Sequence, residues 1–200
     1  MNKEYECWKI RDGDLEYIDS SHTYLYNGIE IPSITTIMQI KFGNKYAGIS
    51  KDVLNRAAER GTNIHNAIED YYKYNIEDIT CKELRNMKFL QKHYKFNVID
   101  NEVPVVIFKD DKPICAGRLD LVLEIDGGLG LGDIKTTSTL DLEYLAYQLN
   151  LYAIGFEQCY GKEINFLKGV HLRGDTRKIK ELPLNHNIGW SLINEYLGGE

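Results

Sequence analysis

The chain has 200 residues, 43% of them hydrophobic and 27% charged, with a formal net charge of −6. These values suit one globular domain with a sizeable core. No membrane-spanning helix is expected, because no apolar run approaches the roughly 20 residues such a helix needs. The acidic total does not advertise a nucleic-acid binder, but such binding depends on a local basic stripe rather than on the sum.

The first residues, Met1 to Cys7, lack an apolar signal core, which predicts a cytoplasmic chain that is not exported. Cys7, Cys81, Cys115 and Cys159 are scattered and form no Cys-x-x-Cys pair. Free thiols are expected, with no structural zinc and no Fe–S cluster. Repeats, low-complexity tracts and Pro/Ser-rich linkers are missing from the sequence. Residues 1–200 therefore read as a single domain, with an N-terminal β-hairpin and helix elaboration over about 1–48.

Residues 15–31 read as short strands turning at Asn27-Gly28, with His22-x-Tyr24-x-Tyr26 alternating on one arm and Ile29 and Ile31 on the other. Pro32-Ser33 opens a helix from Ile34 to about Ile40, and a loop follows to Gly48. Ser50 is the expected N-cap of a long helix, Lys51 to Tyr74. Its apolar stripe is Val53, Leu54, Ala57, Ala58, Ile64, Ala67, Ile68 and Tyr71. Gly61 within it marks a close approach or a break. A second helix is predicted over about Lys82–Phe96, with Leu84, Met87, Phe89, Leu90 and Tyr94 inward. Glu102 to Phe108 reads as a buried strand, followed by a turn at 109–113. Two more strands surround Asp126-Gly127-Gly128, then a helix from Asp141 to Gln158 presents Leu142, Leu145, Leu149, Tyr152 and Phe156 on one face. Strands at Ile164–Leu172 and Thr176–Leu182, and a terminal helix over about Ile188–Leu197, complete the chain. The fold class is α/β, a central mixed sheet flanked by helices, in the order helix, strand, strand, strand, helix, strand.

The strand pair around Asp126-Gly127-Gly128 carries Asp120 on one arm and Asp133-Ile134-Lys135 on the other. A two-residue loop at Asp126-Gly127 places Asp120 opposite Asp133; sliding it to Gly127-Gly128 places Asp120 opposite Lys135. In both registers the three charged side chains share one face. Two carboxylates roughly 5 Å apart repel and lose solvation among apolar neighbours. Something positive belongs between them: Lys135, in a plain ion pair, or a divalent cation. A cation there suits phosphodiester hydrolysis, with carboxylates and the Ile134 backbone carbonyl as oxygen ligands and Lys135 facing the phosphate.

Four stretches in order widen the pattern: Arg60-Gly61-Thr62-Asn63-Ile64-His65-Asn66-Ala67-Ile68-Glu69, Gly117-Arg118-Leu119-Asp120, Gly132-Asp133-Ile134-Lys135-Thr136-Thr137, and Gln148-Leu149-Asn150-Leu151-Tyr152. With them the chain resembles the PD-(D/E)xK nuclease superfamily, in its RecB-like and phage-type exonuclease branch. The last stretch looks like that branch's Gln-x-x-x-Tyr motif, and His22-x-Tyr24 through Pro32-Ser33-Ile34-Thr35 looks like the front hairpin of phage-encoded members. The resemblance covers roughly residues 20–175.

It implies a restriction-endonuclease-like core in αβββαβ order and a metal-dependent deoxyribonuclease, a hydrolase using Mg2+ or Mn2+. Asp120 and Asp133 would bind the metal, His65 and the Ile134 carbonyl would add ligands, and Lys135 would be the catalytic lysine. Glu69, Glu102, Thr136, Gln148 and Tyr152 are further candidates for the active site or for DNA contact. An exonuclease on double-stranded DNA ends in phage or mobile-element recombination is implied, beside a single-strand annealing protein and in a homo-oligomer. A structure- or sequence-specific endonuclease on the same core, and an inactive nucleic-acid-binding module, are the alternatives. Basic candidates for a DNA track are Lys41, Lys45, Lys51, Arg56, Arg60, Lys168, Arg173, Arg177, Lys178 and Lys180. Tyr71, Tyr72 and Tyr74 could stack on bases or pack in the core.

Overall fold

The computed structural model describes residues 5–43 and 48–198; Lys45 lies outside them. Alternating apolar and polar residues build a four-stranded antiparallel meander first: β1 (Tyr5–Ile10), β2 (Gly13–Ile18), β3 (Thr23–Tyr26) and β4 (Ile29–Ile31). The turn between β3 and β4 falls at Asn27-Gly28, both with positive φ (51° and 75°), as the sequence predicts. The first strand, β1, is an addition to the predicted elements.

Ser33 then caps α1 (Ile34–Phe42) by accepting a hydrogen bond from the Thr36 N–H at 3.0 Å. The long helix α2 (Lys51–Tyr74) has the expected bounds, although the Ser50 side chain makes no capping bond. It runs unbroken through Gly61, where an added methyl would stand 3.4 Å from Thr136 Oγ1, so this glycine marks a close approach. After α3 (Lys82–Tyr94) come β5 (Asn97–Lys109), β6 (Lys112–Ile125), β7 (Gly128–Lys135), α4 (Leu142–Tyr160), β8 (Phe166–Arg173), β9 (Thr176–Leu182) and α5 (His186–Tyr196). Asp141 caps α4 through the Tyr144 N–H.

Strands β5 to β9 form one mixed sheet in sequence order, antiparallel except for β7 and β8, which α4 joins as a parallel pair. One face packs on α1, α4 and α5 through Val105, Ile107, Leu131, Leu149 and Ile193. The other packs on α2 and α3 through Leu121, Leu123, Ile134, Ile64, Ile68 and Met87. The meander joins the same body through Leu15, Tyr24 and Tyr26 against Val106, Phe108 and Ala116. The molecule is thus α/β with two sheets, and no described helix is long and apolar enough to cross a membrane.

Several predicted inward positions are corrected. Val53, Phe89, Tyr94 and Leu142 are exposed, as are Ala57 and Ala58. Among the described residues nothing packs over the first half of α2 as it does over Ile64 and Ile68, and only the second half of its stripe is buried.

Candidate active site

Strand β6 changes neighbours along its length. From Leu121 to Ile125 it pairs with β7, Leu121 facing Gly132, around a two-residue turn with positive φ at Asp126 and Gly127. This is the first of the two registers foreseen. On the N-terminal side of Leu121 the strands part, and Ala116 bonds instead to Pro32, beside a bridge to Ser33. Backbone groups freed at such a fork need other partners. Asp120 Oδ2 accepts from the Ile134 N–H at 2.6 Å, and His65 Nε2 lies 3.3 Å from the Ile134 carbonyl. A carbonyl only accepts, so that contact places a proton on Nε2 and turns Nδ1 toward the acids.

Nδ1 of His65 stands 3.6 Å from Asp120 Oδ1 and 3.7 Å from Glu102 Oε1. One donor atom from each of His65, Glu102 and Asp120 falls within 4.8 Å of the others. Glu102 lies in the middle of β5, not at its start, and its φ of 49° is the left-handed region that a non-glycine residue rarely occupies. Strain of this kind persists where neighbours enforce it. Arg118 is one enforcer: its Nε is 2.8 Å from Glu102 Oε2, while its Nη1 donates to Glu6 Oε1 at 2.6 Å. The guanidinium also lies 5.2 Å from the Tyr17 ring centre.

The remaining charged pair sits beside this cluster. The Lys135 ammonium is 2.6 Å from Asp133 Oδ2 and donates to Gln148 Oε1 at 3.0 Å. Asp133 is thus paired with Lys135, and Glu102 joins His65 and Asp120 in the acid cluster. Tyr152, buried in α4, enters the cleft opposite Gly117, where an added methyl would be 2.9 Å from its Cε1. The cleft encloses about 510 Å³ between His65, Glu102, Asp120, Tyr152, Ser33 and a wall of Tyr17, His22 and Tyr24.

Electrostatics follow from crowding acids in a buried place. Burial pushes the Asp120 carboxyl up from 3.8 to about 7; the His65 charge opposes this and the charges of Asp133 and Glu102 add to it. For His65, burial favours the neutral ring, yet Asp120, Glu102 and Asp133 outweigh it and raise the group from 6.5 to about 9. Burial likewise works against the Lys135 ammonium, and Asp133 and Asp120 overcome it, so its pKa is raised. The Tyr152 hydroxyl is held well above its usual value, by burial first.

Other sequence candidates fall elsewhere. Glu69 is buried and pairs with Lys73 at 3.1 Å, while the His65 ring goes to Glu102, Asp120 and Ile134. The Thr136 carbonyl accepts from both Arg60 and Arg173. Lys41 pairs with Glu143 and Lys168 with Glu181. Tyr71 and Tyr72 pack edge to face in the α2–α3 core, and Tyr74 is exposed. Sequence reasoning gave no role to Arg118, Glu6 or Tyr17. Strand parity between Arg118 and Asp120 was the available signal.

Neither a family model nor a curated protein matches this chain. Among solved structures, one titled "Crystal structure of SSO0001" is similar, with a TM-score of 0.48 and 17% identity over 83% of this chain and 74% of that one.

Proposed function

We propose that the chain is a divalent-metal-dependent nuclease of the PD-(D/E)xK type, built on a restriction-endonuclease-like core. The observation that carries this reading is the gathering of His65, Glu102 and Asp120 at the strand fork beside the Lys135 ammonium. The donors fit a divalent cation: an imidazole and two carboxylates within 4.8 Å, with Asp120 raised to about 7 by burial first, Asp133 and Glu102 adding to it. Oxygen-rich sets of this kind suit Mg2+ or Mn2+. When bound, the cation supplies positive charge against a phosphate and makes water more acidic.

The protein's own groups do the rest. His65, Glu102 and Asp120 would hold the cation, and the Ile134 carbonyl, 3.3 Å from His65 Nε2, orients the His65 ring. Arg118 aims Glu102 by engaging its second oxygen. Lys135 keeps its proton, since its pKa is raised, so it acts on the phosphate as a fixed positive charge and not as a base. Gln148 and Asp133 hold its ammonium in place. Tyr152 stays a hydrogen-bond donor on the cleft wall.

The finer reading, an exonuclease on double-stranded DNA ends in a recombination pathway, rests on the sequence resemblance. The test is incubation of linear and covalently closed duplex DNA with and without Mn2+, beside a folded Lys135→Ala variant. Mn2+-dependent loss of linear DNA alone, abolished by the variant, is expected. Nicking of closed circles would move the reading to an endonuclease. Failure to cut any DNA or RNA would overturn the enzyme.

A further inference from the structure

Just past Lys135 the chain turns at Thr136, and its carbonyl receives two guanidinium groups at once. Arg60 Nη2 reaches it from α2 at 3.2 Å, and Arg173 Nη1 from the end of β8 at 3.3 Å. A carbonyl carries only a partial negative charge, too little to offset two cations drawn together. Among the described residues neither guanidinium forms an ion pair with a carboxylate, and Arg60 Nε is buried without a hydrogen-bond partner. The neighbouring Thr137 carbonyl is fixed as well, 2.7 Å from His171 Nε2. Arg56, one turn before Arg60, is exposed on the uncovered half of α2, and so is Lys51.

We infer that Arg60 and Arg173 form a binding site for a backbone phosphate of a nucleic-acid strand, one residue beyond Lys135, with Arg56 and Lys51 continuing the track along α2. This rests on the nuclease reading and names where its substrate strand is held. Two arginines meeting without a carboxylate lack an anion, and the guanidinium fork matches phosphate oxygens in a bidentate way. The site needs no metal, so it acts in the presence of a chelator.

The test is fluorescence anisotropy of a labelled blunt duplex oligonucleotide in EDTA across a KCl series. Arg60→Gln and Arg173→Gln keep an amide donor for the Thr136 carbonyl and lose the charge. Each is expected to flatten the slope of log K against log[salt] by about one unit. Arg173→Lys keeps the slope. Arg85→Gln, whose arginine donates to the Ile79 carbonyl in α3's approach, leaves it unchanged. Wild-type slopes in both glutamine variants, or an equal change in the Arg85 variant, overturn the phosphate site while leaving the nuclease to the Lys135→Ala assay. Cleavage by a wild-type protein that binds no DNA in EDTA overturns the site in the same way. Neither binding nor cleavage overturns both.

Discussion

Asp133 is 2% exposed, and the ammonium of Lys135, 2.6 Å away, balances its charge. Removing that ammonium strands a buried carboxylate, which costs far more than the pair is worth. Lys135→Ala is therefore expected to destabilise the metal-free protein by about 3 kcal/mol, and Asp133→Asn on that background to recover much of the loss. Urea unfolding in EDTA measures both; a Lys135→Ala midpoint equal to wild type would refute the pairing. Thiols offer a pH-dependent check away from the site. Burial pushes Cys115 up from 9.0 to about 12 and Cys159 to about 11, whereas Cys7 is exposed. Because the folded values are the higher ones, their stabilising contribution is intact below 9.0 and is lost as pH rises through about 11 to 12. A thiol reagent at pH 8 is expected to label Cys7 at once and Cys115 only on unfolding. The shared face of Asp120, Asp133 and Lys135 was legible because strand periodicity is two. The prominence of Glu102 was not, because it depends on a backbone φ of 49° that residue type does not announce.

Elements show the same division. Periodicity marked α2, α3 and α4 within a few residues and placed Ile64, Ile68, Leu84, Met87, Leu145 and Leu149 in the core. It also put Val53, Phe89 and Leu142 there, and these are exposed. A helical stripe tells which side chains share a face, not whether another element covers that face. The fork between β6 and β7 is likewise invisible to alternation, since it is set by which strand Ala116 meets. Two substitutions probe these elements. Gly127, with φ 81°, closes the hairpin, so Gly127→Val is expected to cost about 1–2 kcal/mol of stability with activity per folded molecule unchanged. Gly117→Ala drives a methyl to 2.9 Å from Tyr152 and 3.0 Å from Ile34. About 1–3 kcal/mol of destabilisation is expected there, together with a cleavage loss larger than any loss of DNA binding. Equal losses in both assays would place Tyr152 in packing alone.

At the scale of the molecule, a chain of contacts ties the N-terminal meander to the candidate site, from Glu6 in β1 to Arg118 in β6 to Glu102 in β5. Glu6→Gln is expected to weaken Mn2+ binding by about tenfold through loosened support of Glu102. Asp120→Asn is expected to weaken it more. Calorimetric titration with Mn2+ decides, and a Glu6→Gln affinity equal to wild type would refute support of Glu102 by Glu6.

The fork has a consequence for how this protein is made. Glu102 and Asp120 emerge from the ribosome before Lys135, and Lys135 before Gln148, which steadies it. The β7–β8 ladder, being parallel, closes only after α4 has been synthesised and has crossed the sheet. A nascent chain therefore carries the acids long before it can hold the lysine against them. On the proposed nuclease reading, that order of assembly leaves a half-made copy without its complete set of charged groups.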